Sequence, residues 1–511
     1  MAVSLKRTLD LARMAGDAWK LRRASDSKVA DHARRALATR MGRLRGLPQK
    51  IGQILSMNAS NQMPDFLTLT DQGQPLPFST IRDCLERAWE QSISYVVSRI
   101  HDPGIAASLG QVHRATLLNG TEVAIKVRYP GIERAVTNDL NLLGWLAFPT
   151  RESKKGFDKT AYIKELLRDL AEELDYDVEA DHQQWFGRVA STIKGLVVPK
   201  IFHEYSDDSV LVSTWEDGET IDEVAEAWSA DSKESLARQL FQTFSSLLFN
   251  DGLVHADPHA GNYRFRPGQK FHQIIMYDFG SVLHLSPTER LALIGLLRAT
   301  MDRQPIDPLP YFVAMGFDSS LLIPIREKLP ALCSVLFEPF VTDAPYEWSR
   351  WNRGERVAGI LNDDRWNFRM SGPARLMFLM RALHGLVYYM EKLGQPINGA
   401  RILRPILEKY SQDVERLVLP LVSGDDVTFE SLARTLRVEI REGEEIRASV
   451  KLPALAVEDL ETYLDAEVMH KIQQRGIDLS KIVDQVRRNG YAPCELIDLA
   501  IDRKRFTVCL E

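Results

Sequence analysis

The sequence predicts an α+β fold of two lobes, and three observations predict it. Strand-like residues 115–118 and 123–129 flank Asn119-Gly120, a dipeptide that tolerates positive φ at both positions and so favours a hairpin. The apolar run 274–277 reads as a short buried strand ending in Asp278-Phe279-Gly280. Beyond it the pattern turns helical, with apolar residues at helical spacing over 291–297 and again over 375–389.

The elements divide the chain into four stretches. Residues 1–80 read as an N-terminal helical extension, basic between Lys6 and Lys50 and without the continuous apolar run of a secretory signal. It reads either as a solvated extension or as an amphipathic segment resting on anionic lipid, with Val3, Leu5, Leu9 and Trp19 available to insert. Asp10 and Asp17 argue against a mitochondrial transit peptide. Residues 81–218 form the smaller lobe, closed by strand-like residues 210–214 and the connector Trp215-Glu216-Asp217-Gly218. Residues 219–420 form the larger, mostly helical lobe. In residues 425–511, Leu436, Val438 and Ile440 alternate with charged residues, as do Ile446, Ala448 and Val450, about a Glu442-Gly443 turn. Helices over 457–475 and 479–488 and a strand near 505–510 complete a β-β-α-α-β module. It presents no catalytic constellation and reads as an interaction or regulatory module for a protein partner that the sequence does not identify.

The composition, 45% hydrophobic and 26% charged over 511 residues, is that of a globular protein of two or three domains. A net charge of -6 gives no reason to expect nucleic acid as a partner. Cys84, Cys333, Cys494 and Cys509 are too sparse for a disulfide framework and fit a reducing, cytoplasmic setting. The longest apolar stretch, 376–390, contains Arg381 and His384 and reads as a buried or amphipathic helix, leaving the basic N-terminus as the peripheral membrane contact.

The chemistry is concentrated in His255-Ala256-Asp257-Pro258-His259-Ala260-Gly261-Asn262 and Asp278-Phe279-Gly280. Asp257 lies five positions before Asn262, the interval between the aspartate and asparagine of a protein-kinase catalytic loop, and the D-F-G aspartate follows on the next hairpin. ATP carries a polyphosphate whose charge Mg²⁺ neutralises, and this hard cation prefers oxygen ligands such as the Asn262 amide and the Asp278 carboxylate. Asp257 is the carboxylate that accepts or orients the proton of the attacking hydroxyl or water. Upstream, Val123-Ala124-Ile125-Lys126 supplies a strand lysine for the phosphates, although a lone lysine after an apolar run is more often an exposed strand end. Its carboxylate partner is expected on a helix over residues 162–180, where Glu165, Asp169 and Glu173 share one face. The sequence does not choose among the three. The Glu216 connector is where the backbone would meet adenine. The fold class is therefore a two-lobed protein-kinase-like fold with an N-terminal helical extension and a small C-terminal α/β module.

A glycine-rich phosphate loop is missing from its expected place. Residues 103–113 read Pro-Gly-Ile-Ala-Ala-Ser-Leu-Gly-Gln-Val-His, with alanines where glycines would give the backbone free approach to phosphate. This block, the V-A-I-K strand, Glu173-Leu174-Asp175, the H-A-D-P-H-x-G-N loop, D-F-G and the upstream Lys50-Ile51-Gly52-Gln53 together resemble the UbiB-like atypical kinases, the aarF-domain or coenzyme Q kinase-like family. The resemblance covers about residues 40–410.

It implies Lys126 as the ATP-phosphate lysine, Asp257 as the catalytic-loop aspartate, and Asn262 and Asp278 as Mg²⁺ ligands. Ala106, Ala107, Ser108, Gly110 and Gln111 would form the nucleotide-binding loop. Lys50, Gly52 and Gln53 would lie on an extension folded across the site, with Lys50 near the motif that ends in Asp175, obstructing a protein substrate. ATP and Mg²⁺ are the cofactors so implied, ATPase activity in ubiquinone or other isoprenoid-lipid metabolism the function, and an isoprenoid lipid or quinone precursor the further ligand. The chain departs from many members at Ala260, where they have proline, and from some bacterial members in showing neither of the two hydrophobic spans with which they end. Two other readings stand beside this one: a small-molecule kinase of aminoglycoside or choline type, and a scaffold that binds nucleotide without turnover.

Overall fold

The computed structural model describes residues 75–132, 165, 168–422, 433 and 435–511, apart from positions 108, 444, 465, 489–492 and 502–503. Lys50, Gly52, Gln53 and Ser108 lie outside the described residues, as does the basic N-terminal segment. The chain divides into two units, one running to Thr243 and then through Leu253–His284 and Ala374–Leu393, the other through Phe244–Gly252, Leu285–Pro373 and Gly394–Glu511.

The first unit opens with helix α1, Phe78–Ala88, followed by strands β1 (Val97–Ile100), β2 (Ile105–Ala106), β3 (Gly110–Leu117), β4 (Glu122–Arg128), β5 (Leu196–Val197) and β6 (Val210–Thr214). The main antiparallel sheet has the order β1-β3-β4-β6, with β2 hydrogen-bonded to β3. Asn119-Gly120 turns the β3–β4 hairpin, with Gly120 at φ +86°. Ala115 and Leu117 of β3 and Val123, Ile125 and Val127 of β4 alternate onto one face, where Ile81 and Leu85, one helical turn apart, cover them. The same alternation turns Lys126 to the opposite face.

Helix α2, Tyr176–Ala190, starts where the Asp175 side chain accepts the Asp177 N–H, an N-cap followed by acidic first-turn residues. Residues 168–173 are also helical, but that helix stops before Asp175, so the single helix expected over 162–180 is interrupted by a new N-terminus. Strands β7 (Leu253–His255), β8 (Tyr263–Arg266), β9 (Gln273–Met276) and β10 (Val282–His284) follow. Pairing of β7 with β10, and of β8 with β9, fixes the loop 256–262 and the segment 277–281 between them. The short β5 adds in parallel to β9.

The unit closes with helix α3, Leu376–Leu393, which lies on the 256–262 loop. A Cβ on Gly385 would come 1.9 Å from Pro258 Cβ, so only glycine admits this approach. The helix is the buried alternative expected for the 376–390 stretch, and no helix among the described residues is long and apolar enough to cross a membrane.

The second unit is helical through Pro287–Met301, Leu329–Val341, Arg353–Leu361 and Gly399–Glu408. Pro287–Met301 carries a reciprocal Ser286/Glu289 capping box with proline in its first turn. Its C-terminal part is a four-stranded antiparallel sheet, order β12-β11-β14-β13, of β11 (Thr435–Glu442), β12 (Glu445–Pro453), β13 (Cys494–Ile501) and β14 (Lys504–Leu510). Helices α4 (Ala466–Gln474) and α5 (Leu479–Arg488) belong to the same part. Leu436, Val457, Ile472, Val486, Leu499 and Val508 are among its core residues. The expected hairpin and the helix at 479–488 are present. The helix expected over 457–475 is a 3₁₀ segment, Ala454–Tyr463, before α4. Strand β13 is an addition, so the module is β-β-α-α-β-β; a β-bulge between Glu495 and Ile497 breaks the period-two pattern that would have announced it.

Candidate active site

Three segments of the first unit deliver charged side chains to one place. Lys126, on the sheet face opposite Val123, Ile125 and Val127, points Nζ at both oxygens of Glu179, each at 2.8 Å. Asp278 Oδ1 is 3.2 Å from the same nitrogen. Asp278 has φ +56°, a left-handed conformation unusual outside glycine. The Tyr176 ring lies 5.0 Å from the Lys126 ammonium. Burial lowers the Lys126 pKa, but Asp278 and Glu179 outweigh it and hold the ammonium well above its ordinary value. Glu179 is pushed up by burial against the pull of Lys126.

This arrangement corrects the expected partner. Glu165 pairs with Arg168, 2.8 Å away. Asp169 accepts the Ser281 hydroxyl at 2.7 Å. Glu173 lies against Gly280, where an added Cβ would come 3.1 Å from its Cγ. The lysine is taken instead by Glu179, in the first turn of α2, because the chain breaks helix at Asp175 and starts a new one. Asp175 itself caps that helix. An aspartate preceding Tyr176 with Asp177 and Glu179 close behind is a helix-start signature, and it was the signal available for Glu179.

The catalytic-loop residues form a second, buried cluster. Asn262 Nδ2 donates to the Asp257 carboxylate and to its backbone carbonyl, both at 3.2 Å. Arg381, 3% exposed on α3, donates to Asp257 Oδ1 at 3.1 Å and stands 3.7 Å from Asp169 Oδ2. Ser281, Asp169, Arg381, Asp257 and Asn262 thus form one continuous polar chain. Arg381 was invisible as a site residue in the sequence, where it served only to argue against a membrane span. Phe279 is fully buried against Phe186 of α2 and against His255, with ring centroids at 5.0 and 5.2 Å. Helix α2 therefore carries both the partner of Lys126 and the packing of the D-F-G phenylalanine.

The alanine-rich loop is a tight hairpin. Ala106 pairs with Gln111, and the Ala107 N–H donates to the Gly110 carbonyl at 2.8 Å. Gly110 packs so closely that a Cβ would come 2.4 Å from the Val127 carbonyl oxygen. Gln111, expected with the nucleotide-binding residues, faces away from Lys126, since it is Val112 that stands opposite Lys126 in the β3–β4 register. Its amide oxygen accepts from the Leu76 N–H at 2.7 Å and its amide nitrogen meets His113 Nε2 at 2.8 Å. His113 Nδ1 must donate to the His101 carbonyl at 2.8 Å, so Nε2 is the acceptor for Gln111. Gln111 is therefore a buried support of the sheet. Glu216 lies in the connector, its side chain on Arg266 at 2.5 Å and its carbonyl accepting the Tyr277 hydroxyl at 2.6 Å.

Asn262 and Asp278 fit a magnesium ion in donor chemistry. The Asn262 N–H is engaged by Asp257, which leaves an amide oxygen for a cation, and Asp278 brings a carboxylate. No group of three or more His, Cys, Asp or Glu that could hold a metal occurs among the described residues. A cation here would take its remaining ligands from phosphate and water, as Mg²⁺ does.

Residues 68–306 match the ABC1 atypical kinase-like domain. The chain carries an ABC1 atypical kinase-like domain over those residues. An uncharacterized Synechocystis protein is 31% identical over 276 residues, 50% of this chain and 66% of its own length. The AarF domain-containing protein kinase 1 of Xenopus tropicalis is 30% identical over 263 residues, half of each chain. The mitochondrial atypical kinase coq-8 of Caenorhabditis elegans is 23% identical over 396 residues, 74% of this chain and 51% of its own length. The chain thus spans between half and two thirds of the length of these three relatives. The Mycobacterium tuberculosis protein Rv3197, solved with erythromycin, shares the fold with a TM-score of 0.54 and 23% identity over 74% of this chain and 97% of its own. The ABC1 chain accordingly has a kinase-like fold of mixed helices and sheets, and the resemblance read from its motifs holds.

Proposed function

We propose that this ABC1 chain binds Mg-ATP and transfers its γ-phosphoryl group to water or a small acceptor, in support of ubiquinone or other isoprenoid-lipid metabolism. The observation that carries the reading is the assembled Lys126–Glu179–Asp278 cluster, a fixed cation between two carboxylates. Phosphoryl transfer relies on positioning and charge stabilisation more than on covalent chemistry, and such a cluster supplies both. Lys126, steered by Glu179, binds phosphate oxygens. Asn262 and Asp278 hold Mg²⁺, which neutralises phosphate charge when bound. The loop of Ala106 and Ala107 closes over the phosphates, and the connector at Glu216 receives adenine.

Asp257 orients the attacking oxygen and takes its proton. Arg381 and Asn262, both hydrogen-bonded to its carboxylate, hold it in place for that role. The likeness to the nematode atypical kinase coq-8 supports the isoprenoid setting.

The test is phosphate release from Mg-ATP by the purified full chain, with and without quinone-like phenols and anionic liposomes, with Asp278→Asn as control. Release that the additives stimulate and the substitution abolishes supports the reading. Nucleotide binding without release under every condition would favour the scaffold, and transfer to a soluble amine or alcohol would favour the small-molecule kinase.

A further inference from the structure

Tyr277 joins the two ends of the site. It immediately precedes Asp278. Its N–H donates to the Asn262 carbonyl at 2.9 Å, and its own carbonyl accepts from His255 Nε2 at 3.1 Å. Its hydroxyl reaches across to the connector and lies 2.6 Å from the Glu216 carbonyl oxygen. Lys126 and Asp278 mark the phosphate end of the site, and the connector marks the opposite end, where a base would lie. Tyr277 is half-buried, with its hydroxyl on the connector carbonyl.

The polarity of that contact is fixed. A carbonyl cannot donate, so the Tyr277 proton points at Glu216, and the tyrosine oxygen presents lone pairs to its surroundings. The Glu216 carbonyl retains a second lone pair. At this corner the protein offers two acceptors side by side. The geometry points to Tyr277 as a specificity-determining residue that makes the site select a nucleotide whose base donates a hydrogen bond there, the 6-amino group of adenine, over a 6-oxo purine. This rests on the nucleotide-binding reading above. A 6-oxo base sets its own lone pairs against both acceptors, and it can be accommodated only if the hydroxyl rotates and abandons Glu216. The carboxylate of Glu216 does not relieve this, because it too is only an acceptor, turned onto Arg266 at 2.5 Å.

The experiment compares equilibrium binding of Mg-ATP and Mg-inosine triphosphate to the full chain and to Tyr277→Phe, with thermal unfolding of both proteins as the check on folding. Wild type is expected to prefer ATP, and the variant to lose about 2- to 10-fold of that preference, the range of one net hydrogen bond. A variant that weakens both nucleotides by one common factor would show Tyr277 to be a strut without base readout and would overturn the inference, as would an unchanged ratio. Wild-type protein requires no variant for the second comparison: purine riboside triphosphate, which lacks the 6-amino group, should bind more weakly than ATP, and equal binding also overturns the inference. Binding of none of the three nucleotides by wild type would instead sink the underlying nucleotide reading, a distinguishable result.

Discussion

Arg381 Nη2 lies 3.1 Å from Asp257 Oδ1, although 124 positions separate the two residues. The guanidinium is buried, and it stands between two buried carboxylates, Asp257 and Asp169. Its removal leaves two negative charges facing one another away from water. Arg381→Met is therefore expected to destabilise the protein by about 3–5 kcal/mol in denaturant unfolding, and the Arg381→Met/Asp257→Asn pair by less than the sum of its parts. Strict additivity would mean that the contact carries no coupling.

Glu179 and Glu173 make opposite predictions. Glu179 accepts both hydrogen bonds from Lys126, so Glu179→Gln should lower ATP affinity by roughly tenfold or more through loss of a charge-assisted pair. Glu173 is buried beside Gly280, and Lys126 pairs with the carboxylates of Glu179 and Asp278. Glu173→Gln should lower affinity far less than Glu179→Gln, because it leaves the Lys126–Glu179 pair in place. Calorimetric titration of the two variants decides, and the reverse ranking would make Glu173 the carboxylate that serves the lysine.

Asp278 and Asp257 divide binding from turnover. Asp278→Asn is expected to abolish the Mg²⁺ dependence of nucleotide binding, since it removes the carboxylate from the cation site. Asp257→Asn should leave binding nearly intact and reduce phosphate release about 100-fold or more, the scale of general-base catalysis. Equal loss of binding in both variants would contradict that division.

Gly385 offers a test of packing. A methyl group there would overlap Pro258, so α3 must retreat from the catalytic loop. Gly385→Ala gains helix propensity yet should still destabilise by about 1–3 kcal/mol or more, the cost of overpacking. A rise in melting temperature would show that the loop yields freely.

The parts of the site legible in the sequence were those fixed by short-range spacing. Asp257, Asn262 and Asp278 sit in one loop and the following hairpin, so their interval is their geometry. Lys126 was readable from Val123-Ala124-Ile125-Lys126 on the second strand of a hairpin that Asn119-Gly120 announces. Gln111 was misplaced because grouping it with the loop ignored that its parity puts it on the face away from Lys126. Glu179 was hidden by treating 162–180 as one helix, when the Asp175 cap restarts the helical register. Arg381 and Tyr277 depend on contacts with segments distant in sequence, and no local pattern announces such partners. In the C-terminal module, the bulged strand β13 was missed, whereas β11, β12 and β14 were read.

The discontinuity of the first unit bears on how the protein can be dissected. The stretch matched by the domain family ends at residue 306, but Ala374–Leu393 returns to that unit after the intervening segment has been assigned elsewhere. A fragment cut at the family boundary would retain the conspicuous motifs and discard Arg381 and Gly385 together. It would look complete in an alignment while missing the countercharge of its reactive aspartate. Inactivity of such a fragment would report the location of the cut and say nothing about the chemistry of the intact chain.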